Sequence, residues 1–182
     1  LRARPAVWSG LETLEARMML SGTLAVYGGP NQTMVISYGD TTPSRTDCTD
    51  FGPTPADGGS TSRTFDLRNA GTSTLTLTDE KVTVSGPNAA EFVISILPAD
   101  TIAVGGVTSF EIIFSPLDTG IRQAVITITS DDPTHPSFTF SIQGEGLEVV
   151  TTASGLQYSV TQPGTGAVVQ VGDTILVHYT GY

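Results

Sequence analysis

Through the middle of the chain apolar residues recur at every second position, and the positions between them are mostly polar. Phe65 and Leu67 alternate with Thr64, Asp66 and Arg68. Leu75 with Leu77, Val82 with Val84, and Phe92 with Ile94 continue the pattern. It returns in Phe110, Ile112 and Phe114, in Ile126 and Ile128, and in Phe138, Phe140 and Ile142. A period of two gives each run one apolar face, which predicts strands half buried against a second layer. Between the runs stand Asn69-Ala70-Gly71, Gly86-Pro87-Asn88, Gly105-Gly106, Asp118-Thr119-Gly120 and Asp131-Asp132-Pro133, residue types that turn a chain because of the φ values they fix or tolerate. Seven short strands separated by such turns predict an antiparallel two-sheet sandwich and an all-β protein.

The two ends follow other patterns. Leu11, Leu14 and Met18 fall on one helical face, and Ser9 with Glu12 forms a capping box, so Leu11 to Leu20 is expected to be a short amphipathic helix. After Gly146 the composition shifts. Leu156, Tyr158 and Val160 alternate, Gln162 to Gly166 turns the chain, Val169 and Val171 continue, Gly172-Asp173 turns again, and Thr174 to Tyr182 alternates once more. Three segments are expected: an amino-terminal motif and linker over 1–35, the sandwich over 36–147, and an unfinished strand-rich domain over 148–182.

Composition agrees with a chain poor in helix. Its 182 residues hold 28 Thr and one Lys, which favours pleated surfaces, and only 14% are charged. That length suffices for one domain with a full core plus pieces. Eighteen acids against eight basic residues leave a net charge of −10, a field that repels polyanions, so nucleic acid is excluded as a partner. No apolar run is long enough to span a bilayer as a helix. Cys48 is alone, makes no internal disulfide, and is read as a loop residue.

Candidate chemistry in the middle of the chain is sparse. Asp131 and Asp132 supply too few oxygens for a hard cation, which needs six or more, and are read as a turn; no metal is expected. His135 is read as a residue of the same turn. Asn31-Gln32-Thr33 fits a glycosylation triplet of a kind common by chance. There is no Gly-rich phosphate loop, no Ser/His/Asp set and no CxxC pair, so no cofactor is expected, and two His leave few candidates for imidazole acid–base chemistry.

Three stretches resemble known families. Leu11-Glu-Thr-Leu-Glu-Ala-Arg-Met-Met-Leu-Ser21 resembles the LEPR-type motif near the start of large bacterial surface and exported proteins, with Ala16 where the motif carries Pro. Gly39-Asp-Thr-Thr-Pro43, Asp50-Phe-Gly52, Thr64 to Gly71, Leu75-Thr-Leu77, Val84 to Phe92, Phe114-Ser-Pro116, Ile128 to Pro133 and Ile142-Gln-Gly144 resemble the choice-of-anchor D, or Hydin-like, immunoglobulin-type domain. That resemblance implies a stalk, spacer or interaction module with an unknown protein partner, secreted or held at the cell surface, and implies no catalysis. Thr152 to Tyr158, Gly164-Thr-Gly166, Val171-Gly-Asp173 and Val177-His-Tyr-Thr-Gly181 resemble the opening of an FKBP-type peptidyl-prolyl cis-trans isomerase, an α+β domain.

In that isomerase family the Tyr of the VHYTG word lines the apolar pocket that receives the substrate proline, which maps onto Tyr179. Period two sets Tyr179 on one face with Ile175 and Val177 and sends His178 the other way, making His178 a poor catalytic candidate. The implied substrates are polypeptides containing X-Pro bonds. Their rotation barrier of about 18 to 20 kcal/mol comes from amide resonance, and a water-poor aromatic pocket favours the twisted, less charge-separated amide. The resemblance covers 32 residues and stops at Tyr182, so the expectation is a piece of a longer isomerase, inactive as it stands because the rest of the pocket lies beyond. The alternative is a non-enzymatic bacterial surface or adhesion protein in which the sandwich is the working part.

Overall fold

A computed structural model describes residues 21–161 and 164–176. The helix expected over Leu11–Leu20, together with His178 and Tyr179, lies outside the described residues. Ten strands build the sandwich in chain order: β1 (Leu24–Gly28), β2 (Met34–Ile36), β3 (Asp50–Pro55), β4 (Thr61–Asn69), β5 (Leu75–Ser85), β6 (Phe92–Ile96), β7 (Thr101–Ile102), β8 (Val107–Phe114), β9 (Gly120–Ser130) and β10 (Ser137–Leu147). One sheet has the order β2-β1-β4-β8-β6 and the other β3-β10-β9-β5-β7. Every pairing in the sandwich is antiparallel except that of β3, which runs parallel to β10 after the chain crosses from the first sheet to the second.

The inward faces are those the alternation predicts. Phe65 and Leu67 of β4, Phe110, Ile112 and Phe114 of β8, Ile126 and Ile128 of β9, and Phe138, Phe140 and Ile142 of β10 are all buried. All seven Phe of the chain lie in this core. Six of them form two groups, and Phe138 lies edge-on to Phe140. Phe92 stacks on Phe114 at 4.7 Å between centroids with Phe51 edge-on to both, and Phe65 stacks on Phe110 at 5.3 Å beside Phe140. Each fully buried Phe contributes about 1.5 to 3 kcal/mol of transfer free energy, so the core is the dominant stabilising term.

Gly144 explains how β10 fits under that cluster. A Cβ there would stand 2.3 Å from the Phe114 ring, so only a glycine lets the ring lie flat against the strand.

The structure departs from the sequence expectation in three places. The sandwich begins at Leu24, not near residue 36: β1 pairs with β4 from Leu24↔Asn69 to Tyr27↔Asp66, and Leu24 and Val26 are core residues. The runs at Leu75 and Val82 are one strand, β5, interrupted by an irregularity between Leu77 and Val82. There Lys81 takes φ +62, an uncommon value for a residue with a Cβ, and its ammonium pairs with Asp100 and donates to the Pro98 carbonyl. In the tail, only the two-residue strands β11 (Val150–Thr151) and β12 (Gln157–Tyr158) form among the described residues. Val169, Val171 and Thr174 to Leu176 are not in strands, and among the described residues no second layer lies beside them to bury an alternating face.

The long strands fix where the chain comes in and goes out. β9 starts at Gly120 opposite Gly146 and reaches Thr129 opposite Ser137, so the β9–β10 turn marks one pole of the sandwich. The Leu24 amide donates to Asp132 in that turn, which puts the incoming chain at the same pole. The outgoing chain leaves beside Pro55 and Gly120 at the other, about 35 Å away along the eleven residues of β10.

Candidate functional site

Among the described residues, those singled out in the sequence do not converge. Tyr179, the one pocket residue implied by the isomerase resemblance, lies outside the described residues, and Ile175, expected to share its face, is exposed. Cys48 is a free, half-buried thiol in a turn with φ +66. Asn31 is exposed in a turn with φ +64. His135 lies with its ring 4.2 Å from that of Tyr38, near Phe138, an aromatic contact and not a ligand geometry. Among the described residues no group of three His, Cys, Asp or Glu side chains could hold a metal.

What the structure does bring together are two buried polar side chains at the amino pole. Asp132 is 0% exposed. One of its oxygens accepts the Leu24 N–H at 2.9 Å, and the other accepts the Thr134 N–H at 2.8 Å and the His135 N–H at 3.4 Å. Asn69 works in both senses: its amide oxygen accepts from Thr23 and Gly71, and its NH2 donates to the carbonyls of Ser73 and Ile102 at 2.7 and 2.9 Å. Such buried groups are tolerated only when their bonding capacity is filled, and each here fills it with backbone groups both of its own turn and of a distant segment. Sequence reading took both for turn residues. The signal that could have found them is parity, since Asn69 follows Phe65 and Leu67, and Asp132 follows Ile126, Ile128 and Ser130, on the inward side of the period of two.

A third buried group lies toward the carboxyl pole. Glu91, 5% exposed, receives the Arg122 Nε at 2.9 and 3.0 Å and a further bond from Arg122 Nη2, while the Leu117 N–H donates to it at 3.3 Å. The Arg122 hydrogen bonds hold the Glu91 carboxyl below the usual carboxylate range against the opposing effect of burial, and the Glu91 partnership raises Arg122 in turn. This bidentate pair ties the turn before β6 to β9, hence one sheet to the other.

At the carboxyl pole a shallow cleft of about 350 Å³ opens between the β3–β4 loop, with Pro55, Asp57 and Gly59, and the β11–β12 hairpin, with Val149, Gln157 and Tyr158. Among the described residues Asp57 is the one carboxylate on its wall, and the Tyr158 and Ser159 side chains line the same cleft. What the buried polar groups do in the structure is hold distant chain segments together.

Comparison with known proteins follows the same division. The family model for the HYDIN/CFA65/VesB-like, Ig-like domain matches residues 27–145. The chain belongs to that family. The matched residues of this HYDIN/CFA65/VesB-like domain run from inside β1 to inside β10 and stop short of the tail. No curated protein matches the chain. Among solved structures it is similar to a protein of unknown function from Porphyromonas gingivalis W83, with 21% identity, a TM-score of 0.49 and coverage of 69% of this chain and 47% of that one. It is also similar to the ASH/PapD-like domain 7 of human CEP192 (16%, TM-score 0.42, 70% and 87%) and to the secreted serine protease VesC of Vibrio cholerae (16%, TM-score 0.42, 58% and 22%). The chain therefore spans about half the length of the P. gingivalis protein and less than a quarter of VesC.

Proposed function

We propose that the Ig-like domain is a non-enzymatic spacer and interaction module of an exported protein. One observation carries this reading: the chain comes in at one pole of a rigid sandwich and leaves at the opposite one, so the segments on either side are held about 35 Å apart. The buried carboxylates are consumed in structural bonds, which leaves them unavailable for catalysis. Export is supported by the LEPR-type resemblance at residues 11–21. The test is energy transfer between fluorophores attached to the two ends of the chain. Deleting residues 22–147 raises the transfer if the sandwich sets the separation; unchanged transfer overturns the reading.

A second reading concerns the tail. Val168, Val171 and Leu176 are exposed, Val168 and Leu176 at 82% and 86%, exposures that a packed domain would cover. With the isomerase words in the same segment, this supports the tail as the opening of an FKBP-type domain acting on X-Pro bonds, with Tyr179 on the pocket wall. Proline-peptide isomerisation by this chain and by one extended through a complete domain tests it. Silence in the short chain and activity in the long one are expected; activity in the short chain refutes the incomplete-pocket account, and silence in the long one removes the isomerase.

A further inference from the structure

The way the strands run between the poles decides how the sandwich answers to pulling. β1 runs away from the amino pole, so tension on Ser21 draws it along its own axis past β4 and β2. Ladder bonds lie across the strands, so all of them are loaded together in shear and none can open first. β10 runs toward the carboxyl pole and is drawn along its own axis in the same way.

The two ends are unequal. β10 is paired with β9 at ten positions, and with β3 at four more. β1 is paired with β4 at four and with β2 at three. What β1 lacks in ladder is supplied by the amino-pole side chains: Asp132 grips the Leu24 N–H and Asn69 the Thr23 N–H, and the Ala70 N–H donates to the Thr23 carbonyl at 2.9 Å. A hydrogen bond to a buried ionised carboxylate is among the strongest available.

We infer that this domain is a tension-bearing link whose mechanical latch is β1, held by Asp132 and Asn69. The inference rests on the spacer reading and adds load to it: the two segments are kept apart and also kept joined under pulling, as between an anchored part and a part that engages something outside. Failure begins when the Asp132 bond and the β1–β4 ladder part together, with β10 still in place.

The test is a constant-tension measurement on the full chain tethered at both ends. A single event releasing roughly 400 Å of chain is expected, the contour between Thr23 and Leu147. Asp132→Asn shortens the lifetime under tension about tenfold, the worth of one hydrogen bond to a buried charge. Ile142→Val, on the inner face of β10, lowers the urea midpoint but leaves the lifetime unchanged, because β10 is intact when the latch breaks.

With one tether moved to position 42 (Thr42→Cys in a Cys48→Ser chain), β1 and β2 unzip from their shared pole and the lifetime falls without any change at Asp132. This comparison decides the matter if Asp132→Asn does not fold. Equal shortening by Asp132→Asn and Ile142→Val, or equal lifetimes for the two tether placements, overturns the latch. The energy-transfer experiment is done without load, so a weak latch at unchanged separation overturns this inference alone and leaves the spacer.

Discussion

The sandwich and the tail carry the same sequence pattern with opposite outcomes. In β8 and β10 the alternate residues Phe110, Ile112, Phe114 and Phe138, Phe140, Ile142 are buried, whereas in the tail Leu156, Tyr158 and Val160 alternate just as regularly and all three are exposed. The difference is not propensity, since both regions are rich in Val and Thr. It is the presence of a second layer: each sandwich strand faces another sheet, whereas among the described residues β11 and β12 pair only with each other, over two positions. A two-stranded ribbon is marginal in water, so alternation predicts a strand only where something exists to receive its apolar face.

The sharpest way to break this contrast is to truncate one apolar side chain in each region. Phe110→Ala removes a ring stacked on Phe65 and should cost about 3 to 5 kcal/mol, read from the urea transition of the full chain. Val171→Ala, in the tail, should change the same transition by less than about 0.5 kcal/mol. A large effect of Val171→Ala would mean that the tail has a core of its own.

Much of the sandwich was legible because aromatic and branched residues on one parity need a common core, and the turn words between them mark where each strand ends. Phe51 and the first strand were not legible as core. Leu24 and Val26 form a run of two, too short to separate from chance, and their partner β4 lies some forty residues away. The bulge at Lys81 was hidden because the irregularity breaks pairing without breaking hydrophobicity. The parallel pairing of β3 depends on a crossover that leaves no local trace. The polar hubs were legible in part: the turn-forming identity of Asp132 places it correctly between β9 and β10, while the burial of Asp132 and Asn69 follows from their inward-facing parity. The residue proposed for the isomerase pocket, Tyr179, rests on resemblance and lies outside the described residues.

A smaller effect separates the two regions by pH. Glu91→Gln leaves Arg122 without its carboxylate and should cost about 2 to 3 kcal/mol near neutrality, since Glu91 is buried while Arg122 still reaches water. Because the folded carboxyl is held below its ordinary value of 4.5, its contribution is full above that value and is lost as the pH falls through the lowered one. The urea midpoints of the two proteins should therefore differ at pH 7 and approach each other below pH 4.5. The tail has no counterpart to this pair among the described residues, so its proteolytic susceptibility should not follow the same pH course. A midpoint gap that persists undiminished into acid would show that the pair stabilises by packing and not by charge.

The smallest expected effect comes from adding one methyl group in each region. Gly144→Ala pushes a Cβ into the Phe114 ring, which cannot yield because Phe92 and Phe51 already pack against it, and should cost about 1 to 2 kcal/mol. Gly155→Ala meets no neighbouring atom but sits at φ +86, so its strain falls on the β11–β12 turn alone. The urea transition of the sandwich should move in the first variant and stay in place in the second, while trypsin-independent cleavage in the tail, by a protease of broad specificity, should rise only in the second. If Gly155→Ala also shifted the sandwich transition, the hairpin would be buttressing the carboxyl pole through the cleft at Pro55 and Tyr158, and the two regions would have to be treated as one cooperative unit.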